Sequence, residues 1–157
     1  MQIALYQPDI PQNLGSILRL CACMGVACHV IEPCGFVFDD KRLQRVAMDY
    51  AAKVELYRHS SWEAFLQTME GQGARIVLLS TKATQDYYDF SFRSSDILLL
   101  GRESAGVPPE VAEAADAALR IPMAPHARSL NIAVSAGMAV GEALRQVRAG
   151  GESNPTI

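Results

Sequence analysis

Several short segments of this chain are apolar without alternating. Residues 3–6, 27–31, 75–79 and 96–100 show no period-two pattern of apolar and polar side chains. A strand with one wet face alternates, whereas a strand covered on both faces reads as a continuous apolar run. Segments of helical spacing separate these runs. Leu14, Ile17, Leu18 and Cys21 follow Pro11-Gln12-Asn13, and Gly25 marks the stop. Phe65, Leu66 and Met69 follow Ser60-Ser61-Trp62-Glu63, a capping-box pattern. Residues 109–115 suggest a short helix, and residues 54–57 and 119–121 two further strands. Asp39-Asp40 ahead of residues 41–48 reads as another helix, with acidic side chains where the macrodipole favours them. Strands alternating with helices require crossover connections. The expected fold class is therefore α/β, a single parallel sheet with helices on both faces.

A length of 157 residues supports one domain with a real core. That domain is expected over residues 1–148, with residues 149–157 a loose Gly- and Pro-containing tail. No basic start leads into an apolar run, and the longest apolar run, residues 130–141, is too short and too Gly-rich to span a membrane. A cytoplasmic protein without membrane association is expected. The net charge of −3 argues against a general nucleic-acid binder. Lys41, Arg42 and Arg45 nevertheless cluster, either as a solvated helix face or as a local basic patch. Cys21, Cys23, Cys28 and Cys34 form no C-x-x-C pair, and the three histidines are distant in sequence. No metal site is expected, and the cysteines read as small buried thiols in a reducing compartment.

In an open α/β sheet, ligands bind beyond the carboxyl ends of the strands. Four segments follow strands there: residues 7–19, 80–82, 101–108 and 122–131. Gly101-Arg102-Glu103-Ser104-Ala105-Gly106 is Gly-rich but is neither G-x-G-x-x-G nor a P-loop. Glu103 stands where a pyrophosphate would need a glycine. The segment is either an ordinary turn with glycines at positive φ or a loop around a cationic or neutral adenosine-bearing ligand. A sulfonium tolerates a nearby carboxylate where a diphosphate does not. Arg19 lies between Leu18 and Leu20 and only partly shares a helical face with Asn13. It either snorkels at the helix edge or aims a guanidinium at phosphate. His29 reads as structural, His59 and His126 as loop residues. The last helix carries Ala133, Gly137 and Gly141 at four-residue spacing, a smooth ridge for which close packing is the expected compensation. Ser129 is a candidate cap at its mouth.

Three stretches then stand together: "PQNLGSILRLC" (residues 11–21), "LLLGRESAGVP" (residues 98–108) and "RIPMAPHARSLNIAVSAGMAVGEALRQ" (residues 120–146). In order and spacing they resemble the three motifs of the SPOUT RNA methyltransferases. "IEPCGFVFDDKRLQRVAMDY" (residues 31–50) resembles the TrmL (YibK) subfamily, the tRNA wobble-nucleotide ribose 2′-O-methyltransferases. The resemblance implies a deep C-terminal trefoil knot and a homodimer whose active site is shared across the interface. It implies S-adenosyl-L-methionine as cofactor, S-adenosyl-L-homocysteine as product, and the tRNA anticodon stem-loop as partner. Cofactor contacts would fall on Leu79, Gly101, Glu103, Ile121, Met123, Ser129 and Leu130. Catalytic residues would be Arg19, Glu103 and Asn131, and substrate contacts Asn13, Arg19, Lys41, Arg42, Arg45 and Arg128. Ala133 and Val134 stand where the family often has Ser and Asn, and Arg102 and Ala105 depart from the commonest loop.

The implied reaction is transfer of a methyl group to the ribose 2′-OH of cytidine or uridine at tRNA position 34. An arginine stays protonated, so Arg19 reads first as a phosphate clamp that acidifies the hydroxyl, with a base role open. The alternatives are a dimer of the same fold that acts on another RNA ribose or binds without catalysis, and a nucleotide-binding oxidoreductase. The missing G-x-G-x-x-G counts against the last.

Overall fold

The structure is a computed structural model that describes residues 1–37 and 54–151. Seven strands form one sheet: β1 (Gln2–Tyr6), β2 (Ala27–Ile31), β3 (Leu56–His59), β4 (Ile76–Leu79), β5 (Gln85–Asp86), β6 (Ile97–Leu100) and β7 (Ala117–Arg120). Their order is β3-β2-β1-β6-β4-β7-β5, and every pairing is parallel. Four α-helices are described: α1 (Pro11–Met24), α2 (Trp62–Met69), α3 (Pro109–Glu113) and α4 (Ile132–Ala149). The expected helix over residues 41–48 lies outside the described residues, as do Lys41, Arg42, Arg45 and residues 152–157.

The continuous apolar runs have the anticipated cause. Ile3 and Leu5 of β1, Leu98 and Leu100 of β6 and Leu119 of β7 point to one face, where Leu14, Ile17 and Leu18 of α1 and Ala139, Val140 and Leu144 of α4 cover them. Ala4, Ile97, Leu99 and Leu78 point to the other, against Trp62, Phe65 and Met69 of α2 and Val111 of α3. Both faces are dry, so alternation disappears.

Local signals set the ends of the helices. Pro11 opens α1, where its missing N–H costs nothing, and Gly25 closes it at φ 64°. The capping reading shifts by one residue: Ser61, not Ser60, caps α2, accepting from the Ala64 N–H at 3.2 Å. Strand boundaries shift as well. The strand expected at 54–57 lies at Leu56–His59, and the one expected at 119–121 at Ala117–Arg120. His59 is therefore a buried strand residue and not a loop histidine. β5 has only two residues, Gln85 and Asp86, and no apolar signature. It is tied to β7 by Arg120, whose Nε donates to Asp86 Oδ1 at 2.6 Å.

Late in the chain, β6 inserts between β1 and β4, and β7 between β4 and β5. α4 then returns across the sheet to pack against α1. No helix among the described residues is long and apolar enough to cross a membrane.

Candidate active site

All strands being parallel, their carboxyl ends share one edge, and the loops after β1, β4, β6 and β7 gather there. They enclose a cavity of about 930 Å³. Leu79 reaches it from the end of β4, Gly101 and Glu103 from the loop after β6, and Ile121, Met123, Ser129 and Leu130 from the segment after β7. Seven residues singled out from the sequence thus line one space. Ile10 and Asn13 reach it from the start of α1, and Ser80, Thr81 and Lys82 from the loop after β4.

The loop after β6 is a tight ring. Arg102 and Gly106 exchange backbone hydrogen bonds at 2.8 Å in both directions. Gly106 sits at φ 69°, and a Cβ on Gly101 would lie 2.5 Å from the Gly106 carbonyl carbon. Only glycine fits at Gly101, because the ring closes directly over it.

Polar side chains from three distant parts of the chain meet at the rim. Glu103 Oε1 accepts from Asn13 Nδ2 at 3.1 Å, and Glu103 Oε2 accepts from the Asp9 N–H at 2.8 Å. Asn13 Oδ1 accepts from Asn131 Nδ2 at 3.0 Å. Asn131 Oδ1 accepts from the N–H groups of Ala133 and Val134, at 2.8 and 3.3 Å, and so caps α4. That cap belongs to Asn131 and not to Ser129. Asn131 has two jobs at once: one end of its amide starts the last helix and the other fixes Asn13, which orients Glu103.

The remaining singled-out residues lie apart. Arg19 is exposed on α1 and lines no part of the cavity in a single chain. Arg128 is exposed in the segment after β7 and is likewise not among the lining residues. Cys34 is half-buried behind the first loop. Burial pushes its thiol up to about 11, and the Glu32 and Glu103 carboxylates push the same way, so it is no nucleophile at neutral pH. Among the described residues no group of three or more His, Cys, Asp or Glu side chains is placed to hold a metal ion.

Sequence reasoning missed Asp9. Its carboxylate accepts from Arg102 Nε and Nη2, both at 3.2 Å, and from the Ser104 N–H at 3.1 Å. Its position just past Pro8 at the carboxyl end of β1 was the available signal.

A parallel sheet whose late strands insert between earlier ones, with a glycine ring and three loops around one cavity, defines a class that comparison makes specific. Residues 1–141 match the family model described as the SpoU rRNA Methylase family. The chain belongs to that family. Among curated relatives, the tRNA (cytidine(34)-2'-O)-methyltransferase of Beijerinckia indica subsp. indica is 58% identical over 147 residues, covering 94% of this chain and 92% of that protein. Among solved structures, one described as structural insights into the 2-OH methylation of C/U34 on tRNA matches with a TM-score of 0.89 and 41% identity, over 94% of this chain and 96% of that one. The SpoU methyltransferase AviRb from Streptomyces viridochromogenes, in complex with the cofactor AdoMet, matches with a TM-score of 0.85 and 27% identity, over 96% of this chain and 61% of that one.

Proposed function

We propose that this chain is an S-adenosylmethionine-dependent tRNA methyltransferase acting on the ribose 2′-OH of the nucleotide at position 34. The observation that carries the proposal is the cavity at the carboxyl edge, rimmed by the hydrogen-bonded set Asn131, Asn13 and Glu103. The relatives' activity supports the substrate.

The cavity fits the cofactor on its own chemistry. Its volume lies within the usual range for such ligands. Its lining mixes apolar groups such as Leu79, Leu100, Ile121 and Leu130 with the Glu103 carboxylate and with Lys82 and Arg102, the latter paired with Asp9. Leu79, Gly101, Ile121, Met123, Ser129 and Leu130 would hold the cofactor, with Glu103 favouring its positive charge. When bound, S-adenosylmethionine supplies a methyl group already activated on a sulfonium.

The chain's own contribution is placement. Asn131 and Asn13 hold the Glu103 carboxylate in one orientation, and fixed orientation replaces the loss of freedom that attack would otherwise require. Arg19 is a cation that keeps its proton, suited to gripping a tRNA phosphate and to lowering the pKa of the adjacent ribose hydroxyl. Arg128, and Lys41, Arg42 and Arg45 outside the described residues, would bind the anticodon stem-loop backbone. Steep loss of tRNA affinity with salt checks that patch.

The proposal extends to a homodimer and a C-terminal trefoil knot in a cytoplasmic enzyme. A dimer brings Arg19 of one chain to the cavity of the other. Its support is the outer face of α4. Val134 is 51% exposed, and a Cβ on Gly137 or Gly141 would meet nothing within 4 Å. Among the described residues nothing covers Gly137 and Gly141, while Ala133 at the start of the ridge packs against the core. Gly137→Leu is expected to leave the single chain folded and to shift sedimentation from dimer to monomer; an unshifted dimer removes this face from the interface. The knot is supported by the insertion of β6 and β7 between earlier strands. Calorimetric titration with S-adenosylhomocysteine tests the cofactor assignment: saturable binding is expected, and its absence contradicts the reading.

A further inference from the structure

β1 and β6 are neighbours, yet the chain leaves them toward opposite faces, to α1 on one side and α3 on the other. Such divergence opens a crevice at the carboxyl ends of the two strands. Here side chains bridge it. Asp9, from the loop after β1, grips both neighbours of Glu103 with its carboxylate. Oδ1 accepts from Arg102 Nε and Nη2 at 3.2 Å, and Oδ2 accepts from the Ser104 N–H at 3.1 Å and the Ser104 hydroxyl at 2.5 Å. The Asp9 N–H donates to Glu103 itself at 2.8 Å. Residue 9 thus holds three consecutive residues of the ring.

The surroundings are shaped for this grip. Gln7 adopts φ 46°, the only positive φ outside glycine among the described residues, and its Oε1 accepts from Arg102 Nη1 at 3.4 Å. A Cβ on Gly35 would lie 2.9 Å from Asp9 Oδ1 and 3.0 Å from Asp9 Cα, so that glycine leaves room for the aspartate. The Ser104 hydroxyl, ahead of the Ser104 amide and Arg102, holds the Asp9 carboxyl below the usual carboxylate range against the opposing effect of burial.

We propose that Asp9 is a positioning residue for methyl transfer, its carboxylate fixing Arg102 and Ser104 so that Glu103 stands aimed at Asn13 and the cavity. The inference rests on the functional reading above. It also accounts for Arg102, whose charge at the cavity's rim is matched by Asp9 and is not offered whole to substrate.

The test is a double-mutant cycle read on single-turnover methyl transfer to tRNA at saturating S-adenosylmethionine. Asp9→Ala is expected to slow transfer about tenfold in the wild-type background and by less than about twofold in Glu103→Gln, because a residue acting through Glu103 has nothing left to act through. Equal losses in both backgrounds would overturn the inference, as would an unchanged rate in Asp9→Ala or in Glu103→Gln alone. The pair Arg102→Gln with Ser104→Ala removes the same anchors from the other side and serves if Asp9→Ala does not fold. A wild-type protein that transfers no methyl group breaks the functional reading instead. The positioning role is then judged by a crystal structure of Asp9→Ala: release of Glu103 from Asn13 supports it, and retained contacts to Asn13 and the residue 9 amide overturn it.

Discussion

The molecule holds two polar networks in opposite settings. One joins Asp9, Arg102, Ser104, Glu103, Asn13 and Asn131 at the rim of the cavity, where every member keeps some contact with solvent. The other is inside. His29 Nε2 meets Gln2 Oε1 at 2.5 Å, and His29 Nδ1 meets His59 Nε2 at 2.9 Å, beneath Phe65 and stacked on Tyr57. Gln2 Oε1 can only accept, so His29 donates from Nε2 and accepts at Nδ1 from the Nε2–H of His59. The inner chain is satisfied while both rings are neutral and is broken when His29 gains a proton, because its Nδ1 can then no longer accept from His59. The outer network is built on two carboxylates, Asp9 and Glu103, and one guanidinium, Arg102. Wet, charged contacts tune geometry for chemistry; dry, neutral ones tie pH to folding.

Arg19→Ala is expected to have the largest effect of any single change at the outer site. Transfer should fall by about 10²-fold or more while S-adenosylhomocysteine affinity stays within about threefold, since the side chain lies outside the cavity lining. Rates and calorimetry on the same preparation check this. Parallel loss of both would assign Arg19 to the cofactor site.

The inner network predicts an acid-sensitive fold. Burial, and then the neighbouring His59, hold His29 down to about 4; burial lowers His59 as well. The unfolded chain binds these protons near 6.5 and the folded one does not. Stability is therefore full above about 6.5 and falls as pH drops toward about 4, by on the order of 3 kcal/mol for His29. Chemical denaturation across that range measures it. In the double variant His29→Leu, His59→Leu the slope should shrink; an unchanged slope assigns the acid sensitivity elsewhere.

Asn131→Ala sharpens the contrast at the smallest scale. It removes an N-cap worth about 1 kcal/mol, or roughly 2–4 °C in Tm for a chain of this size. It also frees Asn13, so activity should fall further than the stability loss accounts for. A drop in Tm with unchanged transfer would reduce Asn131 to a cap.

How much of this was legible in the sequence follows the same division. The central strands were, because double-sided burial leaves continuous apolar runs. β5 was not: Gln85 and Asp86 are polar and hold their place through Arg120. β3 hides its boundary because Tyr57 and Arg58 are exposed on an edge strand. At the site, the motifs located Gly101, Glu103, Ser129 and Asn131 through resemblance, and the geometry gathers them. Asp9 escaped notice because it acts on residues more than 90 positions away, where spacing carries no signal. The four-residue spacing of Ala133, Gly137 and Gly141 marks a ridge suited to close packing but does not say which surface covers it: Ala133 packs on the core, while a Cβ on Gly137 or Gly141 meets nothing within 4 Å among the described residues.

The most direct test of the account is to map ribose methylation in tRNA incubated with the purified protein and S-adenosylmethionine. A 2′-O-methyl group at nucleotide 34, absent when Arg19→Ala replaces the wild-type protein, is the predicted result. No methyl group in tRNA, or one at another position, would contradict it.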